Sequence, residues 1–137
     1  MAKTFLFKTE PSEYSFGDLV RDGRTAWTGV KNPGALIALR ACAKGDRVLI
    51  YHTADEKAVV GIAEVTRAAY LDPDAKGDEK AVAVDLKPVR ALAEPVTLAA
   101  IKGDKRFADF ALVRQSRLSV MEVPGPLAAA ILGMAGG

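Results

Sequence analysis

The sequence predicts an α+β fold, a small mixed and partly closed β-barrel flanked by short helices. Three observations point to it. The elements run β, α, α and then several strands with short helices between them, and the absence of regular βαβ alternation disfavours a doubly wound nucleotide fold. From Arg47 onward the apolar runs have strand length and are rich in branched residues. The length of 137 residues, 50 % hydrophobic and 26 % charged, suits a single domain over 1–137 whose core needs no disulfide or metal.

Thr4-Phe5-Leu6-Phe7 reads as a first strand, closed by Thr9-Glu10-Pro11. Ser15 with Asp18 three positions on resembles a capping box, and Leu19-Val20 followed by Gly23 gives one short helix. Asn32 as N-cap, Pro33 at the first helical position and Leu36, Ile37, Leu39 and Ala43 at helical spacing predict a second, stopped by Lys44-Gly45-Asp46. Residues 48–52 and 59–66 form a hairpin around a polar turn at 55–57. Residues 71–80 read as a polar loop. Residues 81–89 alternate like a strand with one wet face, and Pro88 places its end at an edge or a bulge. A short helix over 97–101, a last strand over 118–123 and an alanine-rich helix from Pro126 to the terminal glycines complete the chain.

Nineteen Lys and Arg against 17 Asp and Glu leave a net charge of +2, which excludes the broad polycationic surface of a protein that coats DNA without specificity but leaves room for a local patch. Between residues 102 and 117 the cations Lys102, Lys105, Arg106, Arg114 and Arg117 outnumber Asp104 and Asp109. The sign reverses at 72–80, where Asp72, Asp74, Asp78 and Glu79 outnumber Lys76 and Lys80. Either stretch can be an ordinary solvated face. No apolar run approaches the roughly 20 residues that span a bilayer, so a cytoplasmic protein with no membrane partner is expected. The one cysteine, Cys42, lies among apolar neighbours and reads as a small core side chain.

One His and one Cys make a metal centre improbable on ligand supply alone. His52 ends a strand without a G-x-S-x-G elbow, so it is as well read as a structural histidine as a general base. Gly29-Val30-Lys31-Asn32-Pro33-Gly34 has P-loop glycine spacing, but Ala35 and Leu36 stand where Lys and Ser/Thr are required; what remains is a glycine loop leading into a helix start, a place where backbone N–H groups can hold an anion. Trp27 lies in a polar, turn-rich setting with Arg24, Lys31 and Asn32 nearby. Structural packing and base stacking both fit it.

Five ordered segments together resemble the EVE domain, a member of the PUA-like superfamily that includes the YTH and ASCH domains. They are Phe7-Lys8-Thr9-Glu10-Pro11-Ser12-Glu13-Tyr14-Ser15, Trp27-Thr28-Gly29-Val30-Lys31-Asn32, Asp46-Arg47-Val48-Leu49-Ile50-Tyr51-His52, Val60-Gly61-Ile62-Ala63-Glu64-Val65 and Arg117-Leu118-Ser119-Val120. The chain is similar in this to bacterial EVE-domain proteins and to the thymocyte nuclear protein 1 family. The resemblance implies a PUA-like mixed β pseudo-barrel of five or six strands flanked by short helices. It also implies a concave pocket for a modified nucleobase such as a methylated or hydroxymethylated cytosine.

On that resemblance Trp27 matches the aromatic that walls the methylated-base cage of YTH domains, and Lys8, Thr9 and Glu10 match a Lys-Ser-Glu-Pro motif with Thr in place of Ser. Thr9, Thr28 and Asn32 are assigned to hydrogen bonds with base or sugar, with Gly29, Val30 and Ser119 in the same motifs. Lys8, Lys31, Arg114 and Arg117 are assigned to phosphate, and Tyr51, His52 and Thr53 to the rim. Gly61 is assigned to a close backbone approach. Two classes of function follow. The favoured one is a non-enzymatic reader of a modified base in DNA or RNA, with no catalytic residue, no cofactor and no metal, acting as a monomer. A free modified nucleotide is an alternative ligand for an accessory binding protein. The other class is an enzyme on nucleic acid or nucleotides with His52 as base and Lys8, Glu10 or Glu64 as partners, and no spacing of titratable groups supports it.

Overall fold

The computed structural model describes residues 2–75 and 77–136. Six strands, β1 (Thr4–Thr9), β2 (Thr25–Trp27), β3 (Arg47–His52), β4 (Ala58–Leu71), β5 (Val82–Thr97) and β6 (Val120–Val123), form one mixed sheet in the order β2-β5-β4-β3-β1-β6. Only β1 and β3 run parallel, joined through residues 10–46, which hold α1 (Phe16–Asp22), β2 and α2 (Pro33–Ala41). Helices α3 (Leu98–Lys102) and α4 (Ala111–Arg114) lie between β5 and β6, and α5 (Gly125–Met134) follows β6.

The sheet curls back toward itself, and two aromatic rings show it. Phe7 on β1 and Trp27 on β2 lie with ring centroids 5.4 Å apart, although four strand spacings separate them in the sheet order. In a flat sheet those spacings amount to about 19 Å. The contact therefore requires a curled sheet, and the long strands supply the curl: β4 and β5 pair with four register shifts, each a local bend. The fold is an α+β pseudo-barrel of six strands flanked by short helices, the architecture expected above.

Alternation along the strands divides the core in two. The inner face carries Phe5, Phe7, Val48, Ile50, Val65, Val84 and Leu86, capped by Leu19 of α1 and Leu36 and Leu39 of α2. The outer face carries Leu6, Leu49, Tyr51, Ile62, Met121 and Val123, covered by Ile101, Phe107, Phe110, Leu112 and Ile131. Both faces are dry, so period-two alternation in β1 and β3 sorts residues between two cores rather than between core and water.

The caps form where the sequence places them. Ser15 accepts from the Asp18 amide while the Asp18 carboxylate accepts from the Ser15 amide, and Gly23 closes α1 at φ 76°. Asn32 accepts from the Ala35 amide at 3.1 Å and Pro33 opens α2. Cys42 is buried, and burial, reinforced by the Asp46 carboxylate, pushes its thiol up to about 12.

Several boundaries differ from expectation. Strand β5 does not end at Pro88 but runs to Thr97, because Pro88 sits opposite Ala63 where the register shifts and its missing N–H breaks no ladder there. The last strand begins at Val120, not Leu118. Trp27 lies on a three-residue strand rather than a loop, and neither α4 nor the 3-10 turn at Lys105–Phe107 shows a periodic signal at four and three residues long. Among the described residues no helix is long and apolar enough to cross a membrane.

Gly61 meets the close approach expected of it. A Cβ there would lie 2.5 Å from Cε1 of Phe16, whose ring is itself buried. Gly61→Ala must push that ring off β4, and the expected loss is about 1–3 kcal/mol from overpacking, measured by urea denaturation against wild type.

Candidate nucleic-acid interface

A cleft of about 520 Å³ opens where the curled sheet fails to close. The end of β1 brings Lys8, Thr9 and Glu10; the turn before α1 brings Glu13 and Tyr14; β2 and the loop after it bring residues 25–31; Ser119 comes from the approach to β6. The volume falls in the range of small-molecule sites.

Trp27 is the wall. It is half-buried, tilted 55° against Phe7 and met edge-on by Tyr14 at 6.3 Å and 84°. Two aromatic neighbours of this geometry fix the indole plane. The Tyr14 hydroxyl donates to Asp22 at 2.9 Å, and the phenol is raised above its usual range chiefly by burial, with Asp22 adding to it. Trp27 thus packs on the inner core and also lines the cleft.

The loop carrying Thr28, Gly29, Val30 and Lys31 is held from beneath. Gly29 adopts φ 76°, and its amide donates to the Asp72 carboxylate at 2.8 Å. Asp72 is buried and also accepts from the Asp74 amide at 2.7 Å. Although residues 71–80 read as a solvated acidic loop, Asp72 is an internal anchor whose two oxygens serve two backbone donors. Val30 tucks into the inner core.

The polar groups of the cleft differ in how free they are. Thr9 Oγ1 donates to the Tyr14 carbonyl at 2.6 Å, which ties the turn before α1 to β1. Glu10 accepts from the Ser12 amide at 2.9 Å and is also bonded by the Ser12 hydroxyl. Lys8 Nζ donates to the Ser116 carbonyl at 3.0 Å, and burial lowers its pKa below the usual lysine range. Glu13 and Lys31 are exposed and have no side-chain partner among the described residues.

Of the residues the sequence singles out, the structure gathers Lys8, Thr9, Glu10, Trp27, Thr28, Gly29, Val30, Lys31 and Ser119 in this cleft. It places the others elsewhere. Asn32 is spent on capping α2 and lines a neighbouring groove with Arg114 and Arg117. Tyr51 is buried in the outer core, with Lys8 Nζ 5.9 Å from its ring centroid. Thr53 donates its amide to the Thr9 carbonyl at 3.0 Å. His52, opposite Thr9 in the parallel register, is buried under the cleft. Its Nε2 accepts from the Phe16 amide at 2.9 Å, which requires the tautomer with the proton on Nδ1, and Nδ1 faces Glu56 at 2.8 Å. The residues missed are Glu13, Tyr14, Thr25 and Ala26. Glu13 and Tyr14 lie within the first motif, but a turn has no periodicity by which to assign their direction.

The EVE domain family model matches residues 3–134. The chain belongs to the EVE domain family. Its structure is similar to that of Rpa0253 from Rhodopseudomonas palustris, at 42 % identity and a TM-score of 0.92 over 98 % of this chain and 94 % of that one. It is similar to Atu2648 from Agrobacterium tumefaciens at 34 % identity and a TM-score of 0.95, with the same coverage. Human THYN1, solved in complex with 5-methylcytosine containing DNA, shares the fold at 23 % identity and a TM-score of 0.91 over 99 % of each chain. No curated protein matches the sequence. Among the described residues of this EVE domain no group of three His, Cys, Asp or Glu could hold a metal ion.

With His52 removed, the buried Phe16 amide at the start of α1 loses its acceptor. His52→Ala should therefore cost about 1–3 kcal/mol of stability, and His52→Gln, which retains an acceptor, should recover part of it. Urea denaturation of the two variants checks this.

Proposed function

We propose that this EVE domain binds a modified nucleobase, a methylated or hydroxymethylated cytosine, within a nucleic acid, and that it does so without covalent chemistry. The observation that carries the reading is the placement of Trp27, a plane fixed by Phe7 and Tyr14 and facing a cleft of small-molecule size. Support comes from human THYN1, whose structure was determined with DNA containing 5-methylcytosine.

The chemistry of the cleft suits such a base. An indole offers a stacking surface to any base, and stacking is worth about 1–3 kcal/mol per base. Discrimination needs acceptors and donors at fixed places, and a carboxylate accepts from the exocyclic amine of cytosine. Glu13 is the uncommitted carboxylate in the cleft. A base inside a duplex reaches such a site only by leaving the stack, so a single strand or a flipped base is the form bound. His52 is committed to holding α1, and no proton-transfer step is assigned to it.

The test is a titration of the tryptophan fluorescence, which reports Trp27 alone, with single-stranded DNA carrying one 5-methylcytosine or 5-hydroxymethylcytosine and with its unmodified twin. Saturable quenching that is stronger for a modified strand is expected. Trp27→Ala, followed by anisotropy of a labelled strand, should weaken binding by the stacking term of about 1–3 kcal/mol. Equal response to all strands, or none from folded protein, overturns the reading.

A further inference from the structure

We propose that Asp72 is a positioning residue for recognition of the base: it stands outside the cleft and acts on the ligand through the Gly29 amide, so that occupancy of the cleft and order in the connection between β4 and β5 are coupled. The inference rests on the reading of the cleft given above and adds to it a residue that the ligand does not touch.

The loop of residues 28–31 is pinned at both ends. Trp27 precedes it, held by Phe7 and Tyr14, and Asn32 follows it, with its side chain spent on capping α2. Between these ends Val30 is fixed by its side chain in the inner core. Gly29 has no such means. A Cβ placed on it would meet nothing within 4 Å, so packing does not hold its backbone at the φ of 76° that it adopts. Glycine also has more conformations to fall back on than any other residue. What holds it is the hydrogen bond from its amide to Oδ2 of Asp72 at 2.8 Å.

Asp72 is itself fixed by its own segment. Its amide donates to the Ala81 carbonyl at 3.0 Å, its carbonyl accepts from the Ala75 amide at 3.2 Å, and its Oδ1 accepts from the Asp74 amide at 2.7 Å. A further tie runs from the same connection to α2, where Arg40 Nη2 donates to the Lys80 carbonyl at 2.6 Å. The connection thus grips the segment after β2 twice, at Gly29 before α2 begins and at Arg40 in its last turn.

The two carboxylate oxygens have separable work. Oδ1 serves a turn two residues away, and β4 and β5 pair as far as Leu71 and Val82 through their own ladder. Oδ2 is spent on a loop 43 positions earlier in the chain, the loop that supplies Thr28, Gly29, Val30 and Lys31 to the cleft. Among the described residues none from 72 to 81 lines the cleft. Asp72 therefore offers the ligand no contact and sets instead the fraction of molecules whose loop is in place. A loop in place about a tenth of the time binds about tenfold more weakly. Coupling of this kind is reciprocal, so a strand in the cleft also steadies the connection.

The experiment compares wild type, Asp72→Ala and Ile131→Val, each first shown to be folded by circular dichroism. Ile131→Val takes a methyl group from the outer core, away from the cleft, and serves as the control for a modest loss of stability. Asp72→Ala should weaken binding of a short single-stranded DNA carrying one 5-methylcytosine, followed by anisotropy, about tenfold, while Ile131→Val binds as wild type does. Hydrogen exchange followed by NMR gives the second readout. The amides of Gly29 and Asp74 should lose protection in free Asp72→Ala while those of β1 and β3 keep theirs. In wild type the strand should raise protection at Asp72, Asp74 and Ala75, which lie outside the cleft. This last measurement needs no variant and decides the matter should Asp72→Ala fail to fold.

Binding by Asp72→Ala at wild-type affinity overturns the proposal. An equal loss in Ile131→Val does so too, since Asp72 would then act through stability alone, and so does unchanged exchange at those three wild-type amides with the strand bound. In each of these cases wild type still binds the strand, and the cleft reading stands. Wild type that binds neither this strand nor its unmodified twin overturns the cleft reading, and the role of Asp72 with it.

Discussion

The contact between Phe7 and Trp27 is the constraint from which the rest of the site follows. Phe7 is a core residue of a central strand and Trp27 sits on a three-residue edge strand, so bringing their rings to 5.4 Å decides how far the sheet must curl. Curling at this scale needs long strands able to bend, and the four register shifts between β4 and β5 provide that. The curl stops short of closure, since β2 pairs with β5 on one side only and the helices α1 and α2 fill the gap. The opening that remains is the cleft. Its aromatic wall is therefore part of the barrel's closure, and the plane that would receive a base is rigid for the same reason that the core is packed.

Rigidity of the wall has to be matched by the loop that follows it, and here a buried carboxylate is used. Asp72 lies at the far end of β4, yet its oxygens hold the amides of Gly29 and Asp74. Each oxygen of the buried carboxylate thus has a backbone donor, so neither is left unpaired out of water. The left-handed conformation of Gly29 turns the chain so that Val30 points into the core while Lys31 stays in solvent. On the other side of the cleft, Thr9 and His52 perform the same service for the turn before α1, the first through the Tyr14 carbonyl and the second through the Phe16 amide. The polar groups nearest the cleft are thus of two kinds: those that hold the backbone in place, and those, such as Glu13 and Lys31, that are free to meet a ligand.

This division explains what could and could not be read from the sequence. Caps are local, so Ser15, Asp18 and Gly23 around α1 and Asn32 and Pro33 at α2 were legible, as was the hairpin of β3 and β4. The course of β5 was not, because Pro88 normally ends a strand and the bulge that accommodates it depends on Ala63, a partner 25 positions earlier in the chain. The motif segments carried enough signal to name most of the cleft. They gave no depth, and depth separates Thr9, which faces the cleft, from His52, which lies beside it in the register and is buried beneath. The acidity of residues 72–80 misled for the same reason: Asp72 is in the interior through a bond to a residue 43 positions away, and no local pattern encodes that.

The modest net charge of +2 takes on a different meaning once its distribution is known. A uniform weak positive field gives little affinity for a polyanion, and a strongly basic protein would bind any strand and mask the reading of a base. Here Glu10 and Glu13 offset Lys8 and Lys31 within the cleft, so the place where a base would be read adds little sequence-independent attraction. Further positive charge lies next door, on Arg117 and on Arg114, which pairs only with the exposed Asp109 at 3.7 Å. On the proposed reading, separating the two would keep the backbone term small enough that contacts to one base decide between strands.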